Sequence, residues 1–428
     1  MSRRGERFKA GLRVATSRAA ARLVAIFRGQ GQDDVDGRGA GARAEGLARA
    51  REAGALKGGV AKAAQLLGYL GAGPPPEARA ALAALCDAVP ALPAEAVRSV
   101  VIEDLGRPPE ELFARWEPTP FAAASLGQVH AATGHDGAVL AVKVQYPGVA
   151  AALSDDLAAR DLLRELAGVA VARALDAEAL AELRRALLAE LDYGAEAAAA
   201  ARFRSAWAGA RDLAIPEVTA ALSSRRVLTM QRMAGQPLGT LTPGSPEAEA
   251  AARAIFRFSW GSPLAHGLLH ADPNPGNFLV QPGVVACLDY GCTVVLEPAV
   301  VDCERRLWRA LLTTDQFNRG GEAFRHALHE EGLVVSARSF DRSSYRDWEG
   351  HLAAPFRGGR FTWTAAWAAR FVDFTRTLAA GGDLRLPAPA LLLWRQRLGA
   401  AAVLGALSPT LDFAAALREL VPAGTTVL

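Results

Sequence analysis

The stretches His270-Ala-Asp-Pro-Asn-Pro-Gly-Asn277 and, one short apolar run later, Cys287-Leu-Asp-Tyr-Gly291 decide how the chain is read. Asp272 and Asn277 lie five apart, and Asp289 follows twelve residues beyond Asn277, behind a Val-rich segment with the composition of a strand. Asn277 and Asp289 bring hard oxygen donors of the kind that hold Mg2+, and Asp272 brings a carboxylate that orients or deprotonates an attacking hydroxyl. Phosphoryl transfer needs little more from a protein than such placed charges. Taken alone, two prolines and a glycine between Asp272 and Asn277 also fit a purely structural turn.

Upstream residues narrow the choice. Only four lysines, Lys9, Lys57, Lys62 and Lys143, stand among 48 basic residues. Where Arg is the default cation, Lys143 inside the apolar run Ala141-Val142-Lys143 suggests a site for a compact point charge. The segments Val129–Ala132 and Val139–Val144 flank turn residues at 134–137 and predict a hairpin, with Leu140, Val142 and Val144 on one face and Lys143 on the other. Before it, Ala122, Ala123, Ala124, Ser125 and Gly127 form a phosphate-loop candidate in which alanines replace the usual glycines, predicting looser phosphate contact and slower transfer. Downstream, helices are expected over about 151–206. Asp192 and Glu196 would then share a face and repel by a few tenths of a kcal/mol unless Lys62 or Lys143 lies between them. Glu190, about 200° from Asp192 on an ideal helix, would face elsewhere.

The 428 residues suggest two packed units with appendages, α+β overall. Residues 1–41 read as a basic amphipathic arm and linker, 42–115 as a helical extension, 116–235 as a small sheet-containing lobe and 236–428 as a mainly helical lobe. The Gly/Pro-rich run 235–246 reads as the hinge, and 339–359 as irregular. The arm has eight basic residues against Glu6 alone up to Arg28, although the whole chain is only +3. That asymmetry argues against a nucleic-acid coat and fits an anionic membrane surface, a mitochondrial-type targeting arm or equally a plain solvated tail. Cys86, Cys287, Cys292 and Cys303 show neither zinc spacing nor a disulfide framework, which favours a reducing compartment. No secretory signal is read, and the most apolar stretch, 391–407, is interrupted by Arg395 and Arg397. His266 and His270, four apart, make a weak metal pair; Trp260, Trp308 and Trp394 read as core.

Together these motifs resemble the UbiB family of AarF-domain-containing (ADCK) atypical kinase-like proteins over about 53–293. The marks are Lys62-Ala-Ala-Gln65 for the family's KxGQ helix, Ala122-Ala-Ala-Ser-Leu-Gly-Gln128 for its Ala-rich loop, Ala141-Val-Lys143, Glu190-Leu-Asp-Tyr-Gly-Ala-Glu196-Ala197, and the two stretches quoted first. The resemblance implies a two-lobed protein-kinase-like fold binding ATP or ADP with Mg2+. Lys143 would contact phosphates and pair with Glu196, Asn277 and Asp289 would hold the metal, and Asp272 would be the catalytic-loop acid. It further implies that Lys62 and Gln65 reach toward Glu190 and Asp192, where a peptide would otherwise bind, so no peptide substrate is expected. Implied roles are slow ATP turnover supporting isoprenoid quinone biosynthesis or membrane lipid handling, in the cytoplasm at the inner membrane or in the mitochondrial matrix. A silent nucleotide-binding regulator and a small-molecule phosphotransferase are the alternatives. Ala64, Ala199 and Gln231 depart from the family's usual Gly, Asn and acidic residue.

Overall fold

The structure, a computed structural model, describes residues 94–124, 126–147, 149–150, 177–313, 321–334 and 336–421. The basic arm, Lys62, Gln65, Cys86 and Ser125 lie outside the described residues.

In α1 (Ala94–Leu105), Val97, Val100 and Val101 recur at helical spacing and are buried. A short turn α2 (Pro109–Leu112) leads to β1 (Arg115–Trp116), β2 (Ala122–Ala124), β3 (Gly127–Thr133) and β4 (Val139–Gln145). Then follow α3 (Ala177–Ala189), α4 (Tyr193–Ala206), β5 (Leu213–Ala214), β6 (Val227–Gln231) and β7 (Gln236–Pro237). Strands β1 and β2 both pair with one edge of β3, and β4 then β6 complete an antiparallel sheet. Period-2 alternation in β4 works as the sequence predicts. Leu140, Val142 and Val144 join Val97, Val100, Val101, Leu112, Phe113 and Val227 in one cluster, so α1 covers the back of the sheet. Each such buried side chain contributes about 1.5–3 kcal/mol. Residues 94–115, assigned from sequence to the extension, therefore pack as part of the small lobe.

His130 in β3 is buried, stacks on Trp116 at 4.7 Å, hydrogen-bonds the Glu117 carbonyl through Nδ1 at 2.9 Å and meets Gln128 Nε2 through Nε2 at 3.0 Å. Burial lowers its pKa, outweighing the bond to Glu117. The unfolded chain then takes up the proton first, so this contribution is intact above pH ~6.5 and is lost as pH falls through that value, by at most about 1.4 kcal/mol per pH unit. The urea midpoint should fall between pH 7.5 and 5.5, and His130→Phe should shrink that fall.

The second half begins with α5 (Pro246–His266), capped by the Ser245 hydroxyl accepting from Ala248 N and ended by Gly267 at φ 64°. It continues through β8 (Leu268–His270), β9 (Phe278–Gln281), β10 (Val284–Cys287), β11 (Thr293–Val295), α6 (Pro298–Thr313), α7 (Gly321–Glu330), α8 (Ser343–Ala353), β12 (Phe361–Thr362), α9 (Ala365–Ala380), α10 (Ala388–Leu407), β13 (Thr410–Leu411) and α11 (Phe413–Leu420). Two sequence assignments change here. The Gly/Pro run is no free hinge: β7 pairs with β9, Gln236 opposite Val280 and Pro237 opposite Leu279, and Pro is tolerated because β7 is an edge strand. Residues 339–359 are not irregular: Tyr345, Trp348 and Leu352 form the buried stripe of α8. The lobes also interleave along the chain, because Leu183, Leu187, Phe203 and Trp207 from α3–α4 lie in the large-lobe core and β5 pairs parallel with β10.

Helix α10 runs through the large lobe. It is long and apolar enough to cross a membrane by composition, yet 89% of its Ala390–Leu407 window is buried inside the protein. Three consecutive buried polar residues fasten it in three directions: Arg395 to Asp272, Gln396 Nε2 to the Ser259 carbonyl at 2.7 Å, and Arg397 to Glu304. With side chains stepping about 100° per residue, such a run suits only a helix enclosed on all sides.

Candidate active site

The site lies where β4, the start of α4, and the β8–β9 and β10–β11 loops meet. Lys143 Nζ donates to Glu196 Oε1 and Oε2, both at 3.0 Å, and stands 3.5 Å from Asp289 Oδ2 and 4.7 Å from the centre of the Tyr193 ring. Burial works against the Lys143 charge, but Asp289 and Glu196 outweigh it and raise its pKa well above the usual value. Burial likewise pushes the Glu196 carboxyl up to about 7, against the pull of Lys143. The ammonium is thus held charged between two carboxylates.

Asp192 and Glu196 do not share a face. The helical run breaks after Ala189, and Asp192 (φ −116°, ψ 91°) is the N-cap of α4, its Oδ1 accepting from Ala195 N at 3.0 Å. Capping satisfies a backbone donor that a continuous helix would not expose. The break also lets Glu190 approach the site, which an unbroken helix would forbid. A Cβ built on Gly291 would lie 3.3 Å from Asp289 Oδ1, 3.5 Å from Glu190 Cγ and 3.6 Å from Glu196 Oε2. Glu190 thus comes close to Gly291, beside the carboxylates of Asp289 and Glu196.

His270, at the end of β8, is buried among Phe203, Phe258 and Tyr290, and its Nε2 meets the Asp289 carbonyl at 2.5 Å. Burial keeps its pKa low, so the neutral ring donates that bond and ties the two motif loops together. His266, by contrast, is exposed and lies edge-on to Trp207, so the two histidines do not converge. After Asp272, the Asn274 side chain accepts from Gly276 N at 3.1 Å and closes the Pro275–Asn277 turn. Asn277 Nδ2 donates to the Asp272 carbonyl at 2.9 Å, which leaves its amide oxygen as the group it offers a metal. The β9–β10 ladder brings Asp289 alongside: Phe278 pairs with Cys287, and Leu288 N donates to the Asn277 carbonyl at 2.9 Å. Asp289 Oδ1 accepts from Gly291 N at 2.9 Å.

These donors fit Mg2+. Asn277 and Asp289 offer hard oxygens from adjoining loops, the donor type that Mg2+ takes. Among the described residues no three His, Cys, Asp or Glu side chains form a metal cage.

The Ala-rich segment is placed differently from the sequence reading. Ala122, Ala123 and Ala124 form strand β2 against Val129, Gln128 and Gly127 rather than a loop. Gly127 is needed for close packing, since a Cβ there would stand 2.3 Å from the Val144 carbonyl oxygen and 3.0 Å from Tyr193 Oη. Gly127→Ala should destabilise the protein by about 1–3 kcal/mol, read as a lower urea midpoint. Trp260, Trp308 and Trp394 are core, and Cys287 and Cys292 are buried, as expected.

Sequence reasoning missed Arg395. Its Nη2 donates to Asp272 Oδ1 at 2.8 Å with both side chains buried, and the only signal was an arginine in an apolar helical run.

A family model described as the ABC1 atypical kinase-like domain matches residues 84–319. AarF domain-containing protein kinase 1 of Xenopus laevis is 32% identical over 251 residues, covering 56% of this chain and 48% of that protein. Probable protein kinase UbiB of Xylella fastidiosa is 34% identical over 209 residues, covering 47% and 37%. The chain thus spans half or less of the length of these curated relatives. A structure of Rv3197 from Mycobacterium tuberculosis, solved as a complex with erythromycin, superposes with a TM-score of 0.62 at 27% identity, covering 86% of this chain and 93% of that one. With a two-lobed α+β kinase-like fold, and a family match over more than half its length, the chain belongs to the ABC1 family of atypical kinase-like proteins, that of AarF-domain-containing proteins and UbiB.

Proposed function

We propose that the chain is an ATPase of the UbiB type, which binds MgATP or MgADP between its lobes and turns ATP over slowly in support of isoprenoid quinone biosynthesis or membrane lipid handling. The observation that carries this reading is the approach of Lys143 Nζ to Glu196 at 3.0 Å and to Asp289 at 3.5 Å, across the gap between β4 and the metal loop. Mg2+, when bound by Asn277 and Asp289, would neutralise phosphate charge. Lys143, held by Glu196, would place its ammonium on the phosphates. Asp272 would orient the attacking oxygen and take its proton or pass it on, while Asn277 holds the loop through the Asp272 carbonyl. Glu196 touches no phosphate; it fixes the direction of Lys143.

The lipid assignment rests on the family resemblance and on the basic arm, which would attract an anionic surface. Small-molecule phosphotransfer is a second reading, favoured by the likeness to a protein solved with erythromycin. Phosphate release by the full chain, with and without anionic liposomes and beside Asp289→Asn, tests the proposal. Mg2+-dependent turnover lost in the variant supports it; nucleotide binding without turnover supports the silent regulator. If small-molecule phosphotransfer is the activity, an added acceptor rather than liposomes should raise ADP formation.

A further inference from the structure

We propose that Arg395 is a positioning residue for the Asp272 carboxylate, fixing its Oδ1 edge so that Oδ2 is the edge presented toward Asn277 and the incoming acceptor. This rests on the nucleotide-turnover reading above. Three observations carry it. The Arg395 guanidinium is 0% exposed and donates to Asp272 Oδ1 at 2.8 Å, while Asp272 Oδ2 stands 3.5 Å from Asn277 Nδ2. The same guanidinium reaches Cys292 Sγ at 3.9 Å through Nη1, and the Cys292 carbonyl accepts from Ala271 N at 2.8 Å. One side chain therefore spans the residues beside Asp272 and the residue that follows Asp289-Tyr290-Gly291. Finally, Arg395 comes from α10, which packs against α3, α5, α9 and β8 and lies beyond the matched family domain.

The geometry explains why an arginine stands in so apolar a helix. A carboxylate buried as deeply as Asp272 needs a partner for its charge, and a planar guanidinium also sets the direction of the carboxylate plane, which an ammonium does not. Asn277 holds the Asp272 backbone and Arg395 holds its head group, so the acid is fixed at both ends. Placement at this level matters because a displacement of about 1 Å at a reacting group costs on the order of a hundredfold in rate.

The test pairs turnover with nucleotide binding. In Arg395→Gln, kcat for Mg2+-dependent ATP hydrolysis should fall roughly tenfold to a hundredfold while the MgADP dissociation constant stays within about twofold, because the phosphate contacts of Lys143, Asn277 and Asp289 are untouched. In an Asp272→Asn background the same change should cost less than about threefold, since Arg395 acts through Asp272. Arg395→Lys keeps a buried charge but not the fork; it should keep MgADP affinity and lose turnover, and it carries the test if Arg395→Gln does not fold. Wild-type turnover in Arg395→Lys, or full additivity with Asp272→Asn, would overturn the proposal alone. Absence of turnover in the wild-type chain would overturn both this proposal and the function it rests on.

Discussion

Asp289→Asn should reduce Mg2+-dependent ATP turnover by about a hundredfold or more, roughly 2.7 kcal/mol of transition-state stabilisation, without lowering the melting temperature of the nucleotide-free protein. The two halves of that expectation come from the same charges. Asp289 stands 3.5 Å from the Lys143 ammonium beside Glu196, and it pushes the Glu196 carboxyl further up. With Asp289 neutral, Lys143 still has both Glu196 oxygens at 3.0 Å, so the apo protein loses its weaker contact at 3.5 Å and sheds a like-charge repulsion. Phosphate release and differential scanning fluorimetry on the same preparations check both parts; a large fall in apo stability would mean that Asp289 is a structural partner of Lys143.

The largest stability loss is expected from Arg397→Met. The guanidinium is buried against Trp308 and Trp394, at 4.9 and 5.0 Å from the ring centres, and pairs with Glu304, whose Oε2 also accepts from Trp308 Nε1 at 3.1 Å. Methionine replaces much of the volume but leaves the Glu304 carboxylate in an aromatic core, at a cost of about 3–5 kcal/mol. For a protein of 428 residues that corresponds to a melting point lower by roughly three to six degrees. Adding Glu304→Gln removes the stranded charge while keeping an acceptor for Trp308, and should recover more than half of the loss. A single variant that melts within about half a degree of wild type would show that the pair contributes nothing net.

These two arginines also show where the sequence stopped being informative. The 270–277 and 287–291 motifs, Lys143 and Glu196 are legible because they are particular residue types at short, fixed spacings, and the β4 pattern placed Lys143 opposite the α1-facing valines. Arg395 and Arg397 could be read only as interruptions of an apolar helix. Their partners, Asp272 and Glu304, are about a hundred residues away, and nothing local encodes that distance. Glu190 and Asp192 were misjudged for a different reason: an unbroken 3.6-residue period was assumed through Glu190-Leu191-Asp192, where Asp192, a good N-cap residue, restarts the helix. Alanine's helix and loop associations hid β2, whose strand conformation comes from its pairing with β3 rather than from propensity. Gly127 is also required by the Val144 carbonyl beside it, a close approach across the strands that local sequence does not show. The Gly/Pro run 235–246 looked like a linker because an edge strand two residues long leaves no periodicity to read.

A crystal structure of the full chain with ADP and Mn2+ in place of Mg2+ tests the central claim most directly, since anomalous scattering marks the metal. The account predicts a manganese peak in coordination contact with the Asn277 amide oxygen and the Asp289 carboxylate, with the ADP phosphates against Lys143 Nζ. ADP bound elsewhere, or a metal away from both side chains, would contradict it.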